Sequence, residues 1–259
     1  MVFQTVLPTY GPGALKNRED MKILGTDQEK ALYEPQEFFW KKLGQDCASN
    51  GVCVDMFIFP TSYIDVATVG CISALTGGDI FLYPNFDATK DGMKFGNDLK
   101  YLVSRTFGYD ALLRLRVSNG LKIEDHFGNF YMRNSTDLEL AGIDSLKSFG
   151  VCLKHDAKLE ERGDSHIQAA LLYTTSDGQR RIRIHNLALG HTNSLSAVFK
   201  SADLDTIINY TTKMCISMMS SVPLKTIREK FEATCVKVLS SYRLNCASVT
   251  AAGQVLFKS

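Results

Sequence analysis

Asp55-Met56-Phe57-Ile58-Phe59-Pro60, followed by Tyr63-Ile64-Asp65-Val66-Ala67-Thr68 and then Thr76-Gly77-Gly78, is the stretch that decides the fold. It reads as a buried strand, a turn, a helix, a glycine turn and a second strand. Val52 to Phe59 is apolar except at Asp55, as a strand covered on both faces requires. A helix over about Tyr63 to Leu75 stops at Gly77-Gly78, and Ile80 to Tyr83 makes the next short strand.

Working outward, Val2 to Leu7 predicts a strand that enters a loop, Pro8 to Asp20, with the turn signal Gly11-Pro12-Gly13. Pro35 opens a helix whose apolar members are Phe38, Phe39 and Leu43, and Gly51 ends it. Lys94 to Phe107 predicts a third helix with Phe95, Leu99, Leu102 and Val103 on one side. Alternating strands and helices imply a largely parallel sheet over residues 1–107. After Gly108 the period becomes two. Leu113, Leu115 and Val117 point one way and Arg114 and Arg116 the other. Asn119-Gly120 signals a two-residue hairpin. Phe130 to Met132, Phe149 to Leu153 and Ile167 to Thr174 read as strands, and Asp177-Gly178 turns into Arg181-Ile182-Arg183-Ile184-His185. Short strands with regular turns suggest a β-sandwich over 108–193. From about Ser194 the period returns to 3.6. Leu204, Ile207, Ile208, Thr211, Met214, Cys215, Met218 and Val222 line one helix; Leu224, Ile227, Phe231, Cys235, Val238 and Tyr242 line a second. The fold class is multi-domain, α/β then all-β then all-α, with domains 1–107, 108–193 and 194–259.

Composition narrows function. Of 259 residues, 45% are apolar and 22% charged, enough to bury a core. A net charge of +1 argues against a general nucleic-acid binder. No apolar run reaches the roughly 18 residues of a membrane-spanning helix, and the first residues lack the basic leader of a signal peptide. The seven cysteines are scattered, with no CxxC and no zinc-ligand spacing, which points to a reducing, cytosolic setting. His126, His155, His166 and His191 form no ligand pair, Gly77-Gly78 lacks phosphate-loop spacing, and no Asp-x-Ser-x-Ser metal loop occurs. Asp55 is expected at a strand's surface end or capping a turn, and the methionines over 214–219 are expected in a core. No nucleophile, base and orienting group stand out together.

Seven segments taken together resemble the cargo-adaptor subunit of the inner COPII vesicle coat, the Sec twenty-four family. They are Leu7-Pro8 with Gly11 to Asp20, Val54 to Pro60, Tyr63 to Thr68, Leu75 to Gly78, Phe127-Gly128-Asn129-Phe130-Tyr131, Gln179 to Leu189, and Tyr242-Arg243-Leu244-Asn245-Cys246-Ala247-Ser248. The Asn17-Arg18-Glu19-Asp20 and Tyr242 to Ser248 wording is similar to the animal C/D-type branch. The resemblance implies part of a von Willebrand A-like trunk, a β-sandwich and a truncated helical domain. It also implies a fragment, departing from the family after Gly253-Gln254, that lacks the zinc ribbon and gelsolin-like domain, so no cofactor is expected.

Two groups of residues follow as candidate sites. Arg114 and Arg116, two apart on one strand face, present guanidinium forks suited to carboxylates. In relatives, arginines at that position help bind acidic export signals in cargo tails. Arg181, Arg183 and His185 share a face, with Ile182 and Ile184 toward the core, and suit anionic lipid headgroups; the competing reading of either group is an ordinary solvated strand face. The family's partners are a sister coat subunit in a heterodimer, a Sar-type GTPase that recruits the pair, and cytosolic tails of membrane cargo. The implied location is cytoplasmic, peripheral on the endoplasmic reticulum membrane and COPII vesicles. The alternatives are the sister GTPase-activating subunit, an unrelated α/β enzyme, or a truncated product without stable function.

Overall fold

The computed structural model describes residues 1–161, 163–246, 248–250 and 254–256. Ala247 of the last family-like segment and Gly253 lie outside them. The strands and helices are β1 (Val2–Gln4), α1 (Phe38–Ser49), β2 (Met56–Ile58), α2 (Val66–Val69), α3 (Cys71–Thr76), β3 (Ile80–Leu82), α4 (Ala88–Ser104), β4 (Phe107–Val117), β5 (Leu121–Phe127) and β6 (Asp137–Asp144). There follow β7 (Gly150–His155), β8 (Asp164–Thr175), β9 (Arg180–Gly190), α5 (Leu195–Ser201), α6 (Leu204–Met218), α7 (Leu224–Asn245), β10 (Ser248–Thr250) and β11 (Gln254–Leu256). The chain forms two compact units. The first comprises residues 1–116, 128–148 and 168–186; the second comprises 117–127, 149–167 and 187–259.

In the first unit β1, β2 and β3 pair in that order, all parallel, with Phe57 opposite both Phe3 and Phe81. Alternation sends Met56 and Ile58 to one face, packed with Leu15 and Val69, and Phe57 to the other, packed with Tyr83 and Leu102. Both faces of β2 are therefore covered, as the apolar run requires. The strand is shorter than Val52 to Phe59 because its neighbours are three residues long and the ladder ends with them. Asp55 is buried rather than at a surface end. Its carboxylate accepts the Asp79 N–H at 2.9 Å and ties the entry of β2 to that of β3.

Several elements depart from the periodicity. The helix expected over 63–75 is two short ones. An added Cβ on Gly70 would sit 2.6 Å from Val66 O and from Ile80 Cδ1, so the chain bends where β3 comes close. In α1, Phe38, Phe39 and Leu43 stay exposed, and Gly44 and Ala48 are buried because α3 approaches too closely for larger residues. α4 starts at Ala88, capped by Asp87, whose side chain accepts the Thr89 N–H; Phe107 belongs to β4 and Val103 is exposed. A 3-10 helix over Asp27–Tyr33 carries no apolar period and was not expected.

A four-stranded sheet has the order β6-β4-β8-β9, and β5 pairs with β7 in a separate two-stranded sheet. Asn119-Gly120 is a turn, with Gly120 at φ +92°, but it joins strands of different sheets, so no β4–β5 hairpin forms. The β8–β9 hairpin does form at Asp177-Gly178, closed by Thr175 N–H to Gln179 O at 2.9 Å. Phe130 to Met132 supplies one bridge, Tyr131 to Glu139, instead of a strand. β6 takes its place beside β4, and most of its residues are buried. Ile182 and Ile184 are 68% and 53% exposed and face no core, because β9 is the sheet's edge and nothing in its unit covers them.

In the second unit α6 and α7 border an apolar groove of about 600 Å³ lined by Leu204, Ile207, Ile208, Leu224, Ile227 and Phe231. No residue of α6 is buried, and Met214, Met218 and Met219 are half-buried rather than enclosed in a core. No described helix is long and apolar enough to cross a membrane.

Candidate functional site

β4 carries Arg114 and Arg116 between β6 and β8, and the register sets Arg114 opposite Asp137. Period-two alternation aims both arginines from one face, as expected. Their surroundings differ. Arg114 donates from Nε and Nη2 to both carboxylate oxygens of Asp137, a bidentate pair. Asp137 is nearly buried and is held from the other side by Asn134 Nδ2 at 3.1 Å. The Arg114 guanidinium holds the Asp137 carboxyl below the usual carboxylate range. Arg116 is exposed and, among the described residues, donates to Gln168 Oε1 alone, at 3.2 Å. Gln168 in turn donates to Asn186 Oδ1 at 3.0 Å, so one polar row crosses β4, β8 and β9. Beyond Arg114, Arg133 pairs with Glu139 at 3.0 Å. Asp137 and Gln168 were not legible as site residues, because each lies far along the chain and meets the arginines only through sheet register.

Because Asn186 shares the Arg116 face, alternation along β9 turns Arg181, Arg183 and His185 to the opposite face of the same sheet. The two basic groups are thus not one site. Arg181 folds back onto Gln179 Oε1 at 2.6 Å, and Arg180 pairs with Asp110 at 3.0 Å. Among the described residues Arg183 and His185 make no ion pair, and both are exposed.

Two arrangements with a chemical look are engaged in holding the fold. A cavity of about 570 Å³ in the first unit is lined by Cys53, Asp55, Arg105 and Tyr109 among others. Burial, and secondarily Asp55, push the Cys53 thiol up to about 12, so it carries no thiolate at neutral pH. Arg105 is spent on Asp79 at 2.5 Å and Asp144 at 3.3 Å, and Lys147 adds a second cation on Asp79 at 2.5 Å. Burial alone would raise the Asp79 carboxyl, but hydrogen bonds from Lys147 and Arg105 outweigh it and hold it low. In the second unit Ser165 Oγ lies 2.8 Å from His191 Nε2, and His191 Nδ1 lies 2.8 Å from Glu160 O. With Nδ1–H donated to the carbonyl, Nε2 accepts a hydrogen bond from the Ser165 hydroxyl. Ser165 is buried, which denies its oxygen to any substrate and makes the trio a latch on the end of β9. Among the described residues no three histidine, cysteine, aspartate or glutamate side chains converge as a metal site needs.

A parallel sheet β1-β2-β3, two antiparallel strand modules and a helical pair define a multi-domain class known from comparison. The sequence matches the Sec23/Sec24 trunk domain over residues 1–103, the Sec23/Sec24 beta-sandwich domain over 108–192 and the Sec23/Sec24 helical domain over 203–259. The chain belongs to the Sec23/Sec24 family. It is 43% identical over 256 residues to human protein transport protein Sec24C, covering 98% of this chain and 23% of that one. Identity to human Sec24D is also 43% over 256 residues, covering 98% and 25%. Arabidopsis thaliana SEC24 B is 40% identical over 260 residues, covering 99% and 24%. The crystal structure of the human COPII-coat protein Sec24c matches with a TM-score of 0.90 at 40% identity, covering 100% of this chain and 34% of that one. The chain spans about a quarter of the length of the curated relatives it matches.

Proposed function

We propose that the chain is a non-catalytic piece of the COPII vesicle coat that binds export signals of membrane cargo and a sister coat subunit in endoplasmic reticulum to Golgi transport. The observation that carries this reading is the match, over the whole chain, to the human COPII-coat protein Sec24c. On this reading residues 1–107, 108–193 and 194–259 are the trunk part, the β-sandwich and the helical part. A Sar-type GTPase recruits the heterodimer to the cytoplasmic side of the membrane, where it sits peripherally, and no cofactor or nucleic acid takes part.

The Arg114 and Arg116 face is the proposed contact for cargo tails. Single short peptides bind weakly, and a polymerised lattice holds them through avidity. Fluorescence anisotropy with labelled cargo-tail peptides is expected to give micromolar or weaker dissociation constants. Arg116→Glu should weaken them about fivefold, the scale of one exposed charge-assisted contact. Nanomolar binding by a lone peptide, or indifference to Arg116→Glu, would count against the assignment.

The opposite face, with Arg181, Arg183 and His185, is the proposed membrane side. Arg183, exposed and without an ion pair among the described residues, supports it, since each basic side chain near an anionic surface contributes on the order of 1 kcal/mol. Flotation with phosphatidylserine vesicles should recover the chain, and Arg181→Glu with Arg183→Glu should lower recovery several-fold. Equal recovery on uncharged phosphatidylcholine vesicles would refute the electrostatic contact.

A further inference from the structure

Arg114 and Arg116 have the same chemistry and the same strand face, yet among the described residues only Arg114 is paired with a carboxylate. A guanidinium takes a carboxylate best through two parallel N–H···O bonds. In Arg114, Nε and Nη2 already make that pair with Asp137 Oδ1 and Oδ2. The competitor is built in. Asp137 opens β6 directly opposite Arg114, its side chain is 9% exposed, and the Asn134 turn fixes it through Asn134 Nδ2 at 3.1 Å and its own N–H to Asn134 Oδ1 at 2.8 Å. An incoming carboxylate that displaced it would leave a nearly buried anion without its cation, which is the costly way to break such a pair. Arg116, exposed and held among the described residues by a neutral amide alone, carries no such obstacle.

We infer that Asp137 is a specificity-determining residue: it occupies the Arg114 fork as an internal stand-in for an acidic signal and leaves Arg116 as the accessible arginine. The inference rests on the cargo-binding reading above. It makes the face a poor receptor for peptides with two carboxylates that need both arginines, and a better one for peptides with a single acidic group. Asp137 acts through Arg114 and is a positioning residue rather than a direct contact.

The test uses the full chain and a short fluorescein-labelled peptide with two acidic residues one apart. Asp137→Asn keeps the side chain's shape and removes the charge. It is expected to tighten the peptide about fivefold, the equivalent of about 1 kcal/mol for one freed charge contact. Arg114→Gln should abolish the gain in the Asp137→Asn background. Asp137→Ala, which frees the fork by truncation, should give the same gain, and circular dichroism of each variant verifies folding. Unchanged affinity in both folded Asp137 variants, with Arg116→Glu still weakening the peptide, would overturn the gating role while leaving the cargo-binding reading intact. A gain that survives Arg114→Gln would also overturn it. No binding to wild type or to either Asp137 variant would overturn both.

Discussion

Replacing Arg18 by alanine is expected to remove about 3–5 kcal/mol from the stability of the unit that contains residues 1–116, the range for breaking a buried ion pair from one side. Arg18 Nε and Nη2 lie 2.9 and 3.0 Å from the two carboxylate oxygens of Asp65, whose side chain is 3% exposed. The same guanidinium donates to Ala31 O at 2.8 Å, Leu32 O at 3.2 Å and Glu34 O at 2.7 Å, so it closes the carbonyl end of the 3-10 helix. Asp65 also caps α2, accepting from Thr68 N at 3.1 Å and Thr68 Oγ1 at 2.8 Å, and Thr68 Oγ1 accepts from Gln36 N at 2.7 Å. Alanine would leave Asp65 buried without its cation and three carbonyls without a donor. Urea unfolding followed by the single tryptophan suits the measurement. Trp40 donates from Nε1 to Gly13 O at 2.8 Å in the same loop and packs on the core beside Leu15. Arg18→Lys should recover less than half of the loss, since a point charge reaches one or two acceptors where the planar fork donates to four. A loss under about 1 kcal/mol would mean that the pair behaves as a surface salt bridge.

That network also marks the limit of sequence reading here. Asn17-Arg18-Glu19-Asp20 was legible as a family-like segment, but its physical role was not, because Asp65 stands 47 positions away. The parallel sheet was legible for the opposite reason. A strand buried on both faces carries its evidence locally, in Val54 to Phe59, and Gly77 stops α3 in the left-handed conformation at φ +75°. The antiparallel part was harder. β6 reads Asp-Leu-Glu-Leu-Ala-Gly-Ile-Asp, with alanine and glycine where strands prefer branched residues, yet it is the most buried strand of its sheet. Gly142 is small because a neighbour presses on it: a Cβ there would meet Cys53 Sγ at 2.6 Å. Asn119-Gly120 specifies a turn but not which strand pairs after it. At the candidate site, period two aligned Arg114 with Arg116, and only the β4–β6 register could reveal that Asp137 takes one of them.

Gly78→Ala is expected to destabilise the same unit by about 3 kcal/mol, the upper part of the range for forcing extra volume into a packed site. A Cβ there would lie 2.0 Å from Val54 O and 2.7 Å from Val54 C, both backbone atoms. Neither side can retreat. Val54 N donates to Thr76 Oγ1 at 3.1 Å, Gly78 N to Ser73 O at 2.9 Å, and Met56 N to Asp79 O at 2.9 Å. Relieving the clash would pull α3 away from β2 and open the Asp55 to Asp79 hydrogen bond that starts β3. Gly92→Ala supplies the contrast. It lies inside α4 with nothing within 4 Å of a Cβ, so alanine should stabilise by about 0.5–1 kcal/mol through lower unfolded-chain entropy. The two substitutions add the same methyl group, so opposite signs in one urea series separate close packing from backbone propensity. If Gly78→Ala were as benign as Gly92→Ala, β2 and the turn before β3 could not approach as closely as the parallel register requires, and the strand order β1-β2-β3 would fail with it.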